Sequence, residues 1–499
     1  MEKYDAIVIG AGNGGLTAAT TLAQKGLAVL LLERHNVPGG AATSFCRGRF
    51  EFEVALHQLS GLGRPDFPGP LRGLLQGLGV LDELDFIEMK ELYSVYRPGG
   101  FHLALHTDRA RTVAALQEAF PAEKANIARF FDLVYTYAGE FIAAFVFRDP
   151  EAGRAKYPVL HRQAFRKVQD VLDEFFTDPL LKAVLSVYWG YLGVTPDEMT
   201  FAYLALLFWT YMEFKPYHLK GGSQALSNAL AARFQALGGR IRYNCGAGKI
   251  LVRDGAVAGV VTDQDEEIQT RFVVSNVSPV LTYLKLIGPQ AVPAGAFDEM
   301  RGRSLSVSAF TMYIGFDCEP AELGFTEPTN FLLGSLDQIE GPKRSMRSLD
   351  ISDELIVLSC YDVAAPDFSG PGTCQANVVT LKYGEPWLRL PPSRYYDVKY
   401  QCGRGMLGRI SQIWPKVTDH IEELDVATPL THLRYLGHPA GAIYGYEQRA
   451  KDSMFFQPGR RSAVAGLFFA GGWSGDCGFQ PTLEAGQAAA KSIIRQLGA

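Results

Sequence analysis

The chain has 499 residues, of which 47% are hydrophobic and 12% aromatic, and its 48 basic and 53 acidic side chains leave a net charge of -5. This length can bury a large core and implies two domains, or one domain with a large insertion. The charge balance, with no long basic block, excludes nucleic acid as the main partner.

Asp5-Ala6-Ile7-Val8-Ile9-Gly10 reads as a short, continuously apolar strand of the kind covered on both faces in a parallel sheet. It runs into Gly10-Ala11-Gly12-Asn13-Gly14-Gly15, a G-x-G-x-x-G. Here Gly10 permits the tight turn, Gly12 lets the backbone approach a pyrophosphate, and Gly15 lets the next helix pack on the strand. A short Ala-rich helix is predicted over residues 14–25, with Gly26 as its stop. Ala28-Val29-Leu30-Leu31-Leu32 is a second buried strand ending on Glu33, whose carboxylate can accept from both hydroxyls of an adenosine ribose. The phosphates would lie at the helix N-terminus, and Arg34 leaves an opening for a 2′-phosphate. A glycine pattern alone is a weak signal, but strand, loop, helix and terminal acid together specify a dinucleotide site. The chain enters this unit at once, so no cleaved leader is expected ahead of it.

Pro38-Gly39-Gly40-Ala41-Ala42-Thr43 pairs glycines again, a second close approach to a flat or phosphorylated ligand for which a nicotinamide domain has no use. Phe50 to His57 alternates like a strand, with Glu51, Glu53 and Ala55 on one side and Phe52, Val54 and Leu56 on the other. With these residues the chain resembles the flavoprotein family of phytoene desaturases, carotenoid isomerases and retinol saturases. The resemblance implies that the Pro-Gly-Gly loop and the acidic strand lie along FAD, with His57 similar to the retinol saturases. Ala55 stands where that family usually has glycine. Ala41 stands where amine oxidases usually have arginine, which lowers the amine-oxidase reading.

From residue 65 to 215 the pattern is helical and aromatic, with Phe130, Phe131, Tyr135, Tyr137, Phe141, Phe145 and Phe147 at mostly helical spacings. Thr195-Pro196-Asp197 is a helix-start signal ahead of the twelve-residue apolar run from Phe201 to Met212. Each aromatic taken singly is core. Together they suggest a lid or tunnel for a long apolar substrate, and the run is too short to span a bilayer but suited to dip into one surface. A dimer contact would use the same face.

Pro216 to Leu226 returns the chain toward the first domain, and a helix from Ser223 to Leu237 leads into a strand at Arg240. Ala247 to Val252 and Ala258 to Thr262 form a hairpin, and Phe272-Val273-Val274-Ser275-Asn276 rejoins the parallel sheet. The resemblance implies a backbone contact from Ala247 to the adenine end. Asn276 caps or orders the strand end, with a ligand role as the alternative. Residues 304–317, 354–361 and 376–382 suggest a second, mostly antiparallel sheet, residues 341–349 and 364–374 loops, and Tyr395 to Trp414 a helix.

Ala427 to Tyr435, followed by Gly441-Ala442-Ile443-Tyr444-Gly445, is similar to a family segment beside the isoalloxazine and substrate channel. His432 and Arg434 are either structural or in contact with ligand there, and Tyr444 is better placed. Gly466 to Asp476 begins as a buried strand and breaks into Gly471 and Gly472. Gln480-Pro481-Thr482 then opens a small-residue helix that can aim its N-terminus at a diphosphate or flavin carbonyl. The cofactor candidates at this end are Gly471, Gly472, Asp476, Gln480, Pro481 and Thr482.

The expected fold is α/β, a Rossmann-type FAD-binding domain (glutathione-reductase-like) with a mixed-sheet and helical substrate domain. Its FAD-binding parts fall at 1–64, 216–303 and 427–499, around a helical region at 65–215 and a sheet and helix at 304–426. The resemblance implies hydride transfer at carbon–carbon bonds of an apolar polyene or isoprenoid, or cis–trans isomerisation on reduced FAD. A flavin-loaded lipid binder and an amine oxidase are further readings. No second G-x-G-x-x-G follows a strand, so the electron partner would be external, oxygen or a quinone. His57 is the first candidate for proton transfer, because an imidazole titrates near neutrality, and Tyr444 the second. The seven scattered cysteines contain no C-x-x-C and no metal spacing, which points to a reducing, cytoplasmic setting. Peripheral contact with the inner membrane face is compatible with this, and the oligomeric state is left open.

Overall fold

The computed structural model describes residues 3–450, 462–474 and 477–498. The strands β1 (Ala6–Ile9) and β2 (Val29–Leu32) have only apolar side chains and are buried along their whole length. Strands with both faces covered must be so. With β3 (Arg240–Arg242), β4 (Phe272–Ser275) and β5 (Leu467–Phe469) they form a parallel sheet in the order β3-β2-β1-β4-β5. The strand order reverses between β1 and β4, and the crevice outside the carboxyl ends at such a switch point is where open α/β sheets bind ligands.

Helix α1 (Asn13–Ala23) packs against both α2 (Gly222–Ala236) and α3 (Phe479–Leu497), joining the two ends of the chain over this sheet. Small residues allow the approach: a Cβ on Gly486 of α3 would stand 2.1 Å from the Gly14 carbonyl oxygen.

A second sheet has seven strands in the order Ile421–Ala427, Ser308–Phe316, Cys374–Lys382, Ile356–Cys360, Thr329–Leu332, Glu91–Arg97 and Phe101–His106. Neighbours are antiparallel except Thr329–Leu332 and Glu91–Arg97, which run parallel. Residues 91–106 thus form a sheet hairpin inside the stretch expected to be helical, turning at Gly99 and Gly100, both with φ near +97°.

Three local expectations are corrected. The Thr195-Pro196-Asp197 signal makes a turn, with Thr195 Oγ1 donating to Asp197 at 2.7 Å and Asp197 paired to Lys343, and the helix begins at Phe201. Glu340–Met346 is helical where a loop was expected, because Asp337 accepts the N–H groups of Ile339, Glu340 and Gly341. The apolar Phe201–Glu213 helix is core and not a surface element: Phe201, Ala202, Leu204, Ala205 and Phe208 are fully buried. Phe130 sits among Phe131, Phe175, Phe176 and Phe201 at 5.4–6.1 Å between ring centroids, mostly edge-on. The aromatic series then divides, with Phe130, Phe131 and Tyr137 inside and Phe147 78% exposed.

Candidate functional site

Two glycine loops from opposite ends of the chain meet at the switch point. A Cβ on Gly14 would fall 2.4 Å from the Gly471 nitrogen, and one on Gly12 2.7 Å from Asn276 Nδ2. Asn276, the residue after β4, is wedged between the loops: Cβ atoms on Gly14 and Gly471 would stand 2.7 and 2.4 Å from its Oδ1. The cleft that results encloses about 1330 Å³ counted out to its open mouth. Gly10, Gly12, Asn13, Gly14, Glu33, Arg34, Gly39, Gly40, Ala41, Ala42, Ala247, Gly471, Gly472 and Thr482 all line it.

A second layer fixes the Pro-Gly-Gly loop. Gly39 N–H donates to the Ala11 carbonyl at 2.8 Å, and Gly39 and Gly40 have φ of +126° and +64°, a conformation side chains disfavour. Helix α2 holds the loop from outside through Ser227 Oγ to the Ala42 carbonyl at 2.7 Å and Gln224 Nε2 to the Pro38 carbonyl at 3.1 Å. Buried Glu53 positions α2 in turn, accepting the Ser223 N–H at 2.6 Å, the Ser223 hydroxyl at 2.7 Å, and the N–H groups of Ala55 and Leu56. Burial pushes the Glu53 carboxyl upward in pKa while these donors pull it down.

Several expected contacts are placed elsewhere. Gly15 lies outside the cleft, and a Cβ there would strike the Gly10 carbonyl at 1.9 Å, so its role is helix–strand packing. Gln480 does not line the cleft: its amide donates to Glu484 at 2.8 Å and lies against Gly61. Pro481 packs beside Gly478. Asp476 lies outside the described residues. Arg34 borders the cleft but donates to the Arg434 and Tyr435 carbonyls at the end of the Pro429–Leu436 helix, and not toward a 2′-phosphate. Glu33 accepts the Ala11 N–H at 2.6 Å and the His35 N–H at 2.8 Å, which leaves each carboxylate oxygen a further lone pair for a ribose hydroxyl.

At the far end of the cleft, Ile443, Gly445, His438 and Trp473 also line it; Ile443 and Gly445 belong to the segment expected beside the isoalloxazine, whereas neither His438 nor Trp473 had been picked out as a site residue from sequence. His438 Nδ1 meets the Ala442 carbonyl at 2.8 Å and its ring stands edge-on to Trp473. Ile443 also packs against the large aromatic core that contains Tyr93, Tyr188, Tyr211, Phe208 and Phe331. Tyr444 lies between two lining residues but packs on this core, near Gly193, and its N–H donates to Ser306 Oγ at 3.0 Å. Burial drives its phenol pKa upward, so it is a neutral hydrogen-bond donor.

His57 is not among the lining residues either. Its Nδ1 is 3.1 Å from the Tyr361 hydroxyl and its ring stacks on that of Tyr361. Desolvation lowers its pKa to about 4, so it does not titrate near neutrality as expected from an isolated imidazole. His432 is buried, its pKa likewise lowered to about 4 by desolvation.

The donor set fits FAD. Asn13 Oδ1 and Trp473 Nε1, on two lining residues, are buried without a partner among the described residues. Helix α1 begins after a glycine that offers no side-chain cap, with no acid in the first turn, and its first residues line the cleft, so its N–H groups are open to a diphosphate. Glu33 and the backbone at Ala247 would hold the adenosine half, Gly10 to Gly14 the diphosphate, and the loops at Gly39 to Ala42 and Gly471 to Gly472 the flavin half.

Residues 14–494 match the model of the flavin containing amine oxidoreductases. The chain is 26% identical over 488 residues to the all-trans-retinol 13,14-reductase of Danio rerio, covering 89% of this chain and 78% of that one. It is 25% identical over 490 residues to the chloroplastic prolycopene isomerase 2 of an Oncidium hybrid cultivar, covering 94% and 80%. In structure it is similar to an oxidoreductase from Methanosarcina mazei (TM-score 0.66, 18% identity, 98% and 99% covered) and to a putrescine oxidase bound to putrescine (TM-score 0.65, 16% identity, 99% of each covered). At those identities the structural likenesses show the fold.

Proposed function

The chain belongs to the flavin containing amine oxidoreductase family, it is an FAD-dependent oxidoreductase, and from that premise we propose that it acts on a carbon–carbon unit of an apolar polyene or isoprenoid. The carrying observation is Ile443, which lines the cleft on one side and packs on the buried tyrosine and phenylalanine cluster on the other. A greasy substrate held in that cluster would meet the flavin end of the cleft. When bound, FAD supplies the hydride acceptor or donor. The chain's own work is to hold the substrate unit, exclude water and keep the surrounding groups uncharged.

The titratable groups at this end support an uncharged substrate. Tyr188, Tyr191 and Tyr211 have phenols raised by burial, and His57 and His438 have imidazoles lowered to about 4. Two buried carboxylates are committed elsewhere: Glu53 to α2, and Glu447 to Arg449 at 2.6 Å and to the Tyr383 hydroxyl at 2.5 Å. An ammonium substrate would enter without a counter-charge from either. Tyr361, whose hydroxyl is 3.1 Å from His57 Nδ1, does not line the cleft either, so the contact between these two rings is packing beside the cleft.

Anaerobic photoreduction of the flavoprotein followed by addition of candidate polyenes separates the readings. Flavin reoxidation with loss of a double bond indicates saturation, and isomer change without reoxidation indicates isomerisation. Peroxide release from amines, with no response to any polyene, sinks the proposal. The electron partner is proposed to be external, oxygen or a quinone, and oxygen or quinone added to the reduced protein tests it.

No helix among the described residues is long and apolar enough to cross a membrane. Peripheral contact is proposed through Val146 and Phe147, 62% and 78% exposed and followed by the exposed basic residues Arg148, Arg154, Lys156, Arg162 and Lys167. Flotation with anionic vesicles should fall in V146D/F147D, and unchanged flotation removes this tip from the interface.

A further inference from the structure

The corner where the strand Ser308–Phe316 ends beside the edge strand Ile421–Ala427 has a register slip. Gly315 is opposite Glu423 but Phe316 is opposite Ile421, so one residue of the edge strand is left over. Such slips bend a strand and re-aim the side chains that follow. Just past it, the Asp317 N–H donates to the His420 carbonyl at 3.1 Å, and His420 Nδ1 stands 2.9 Å from Asp317 Oδ1. Cys318 comes next, 3% exposed. A carboxylate oxygen, the Cys318 Sγ and a His420 ring nitrogen all lie within 4.8 Å of one another. None of the three residues lines the cleft.

We propose that Asp317, Cys318 and His420 bind one divalent zinc ion, with water completing a four-coordinate shell. One oxygen, one sulfur and one nitrogen ligand is a set that magnesium and calcium, which take oxygen, do not favour, and that zinc accepts in tetrahedral geometry. The carboxylates of Glu319 and Glu322 lie close enough to act on Cys318 and add negative potential for a cation. Binding replaces the thiol proton, which leaves to solvent, and frees the imidazole nitrogen from its bond to Asp317. The ion would clip the edge strand to the sheet, a structural role separate from the flavin chemistry.

The experiment uses the flavin-loaded full chain, stripped with a chelator and titrated with zinc in excess magnesium, with cobalt(II) as the optical probe. The expected result is one equivalent bound, a sulfur-to-cobalt charge-transfer band, a raised melting temperature with zinc only, and an unchanged flavin spectrum. C318A should abolish the band, and H420N, at a partly exposed position, should weaken binding about tenfold or more. Failure to retain one equivalent, cobalt bound without the charge-transfer band, or binding that survives C318A and H420N would each overturn the site. So would binding lost on replacing Cys46, the exposed thiol elsewhere in the chain.

Discussion

Gly14 has backbone on one side and Asn276 on the other, so an added methyl has nowhere to go: its Cβ would stand 2.4 Å from Gly471 N and 2.7 Å from Asn276 Oδ1. G14A is expected to pry the two loops apart and lower bound flavin per chain by about tenfold or more, since close backbone approach is what that loop provides. G73A is the control. Gly73 lies within the Pro70–Leu78 helix with nothing within 4 Å of the added Cβ, so the change should keep full flavin and stabilise by roughly 0.4–1 kcal/mol. Equal flavin content in the two variants would contradict the convergence of the termini as the basis of binding. The glycines were legible because each job follows from strand, loop and helix in one local stretch. Asn276 was read as ordering a strand end or touching a ligand, and not as a wedge, since its place between two loops far apart in sequence exists only after folding. His57 shows the opposite failure, a residue type noticed correctly whose ionisation was then changed by burial.

At the scale of elements, the strand Cys374–Lys382 ends in a buried charge. Lys382 and Glu354 are 0% and 2% exposed and paired, and Lys382 Nζ also donates to the Ser345 carbonyl at 2.7 Å and to that of Asp350. Thr380 donates to the same carboxylate. Removing one partner strands the other charge in the interior, so K382M or E354L alone should cost about 3–5 kcal/mol, whereas the double variant should recover most of it. Urea midpoints of the four proteins close the cycle, and additive losses would show that the pair is not coupled. Neither residue stood out in the sequence, where each only marked one end of an expected strand. Hydrophobic period fixed β1, β2 and the long apolar helix, but not the 91–106 hairpin, whose short alternation is outweighed by helical neighbours. The Glu340–Met346 helix was hidden because its start depends on Asp337 folding back on three N–H groups, a local bond no periodicity records.

For the molecule as a whole, convergence of the two ends on one sheet was readable, because a strand–glycine–helix unit at each terminus has few ways to share a ligand. Its response to acid was not, since that depends on which histidines are enclosed. His57, His218, His432 and His438 all have pKa values lowered to about 4, in each case chiefly by burial. Unfolded, each would take up a proton near pH 6.5. The folded state refuses that proton, so their contribution to stability is intact above pH 6.5 and is lost as the pH falls toward 4. Asp362, raised to about 6, acts in the opposite sense below that value, as do the raised carboxyls of Glu53 and Glu354. The histidines therefore dominate first, just below pH 6.5, and outnumber the opposing groups further down. The Nε2 atoms of His218 and His432 are buried without a partner among the described residues, so these rings can be replaced at small cost in hydrogen bonding. In H218F/H432F the unfolding free energy between pH 6.5 and 5 should fall less steeply than in the parent, by up to about 1.4 kcal/mol per pH unit for each ring removed. Urea titrations at half-unit steps measure that slope. Parallel curves for parent and variant would mean that both imidazoles take up protons in the folded protein, and that the interior around them is wetter than their burial implies.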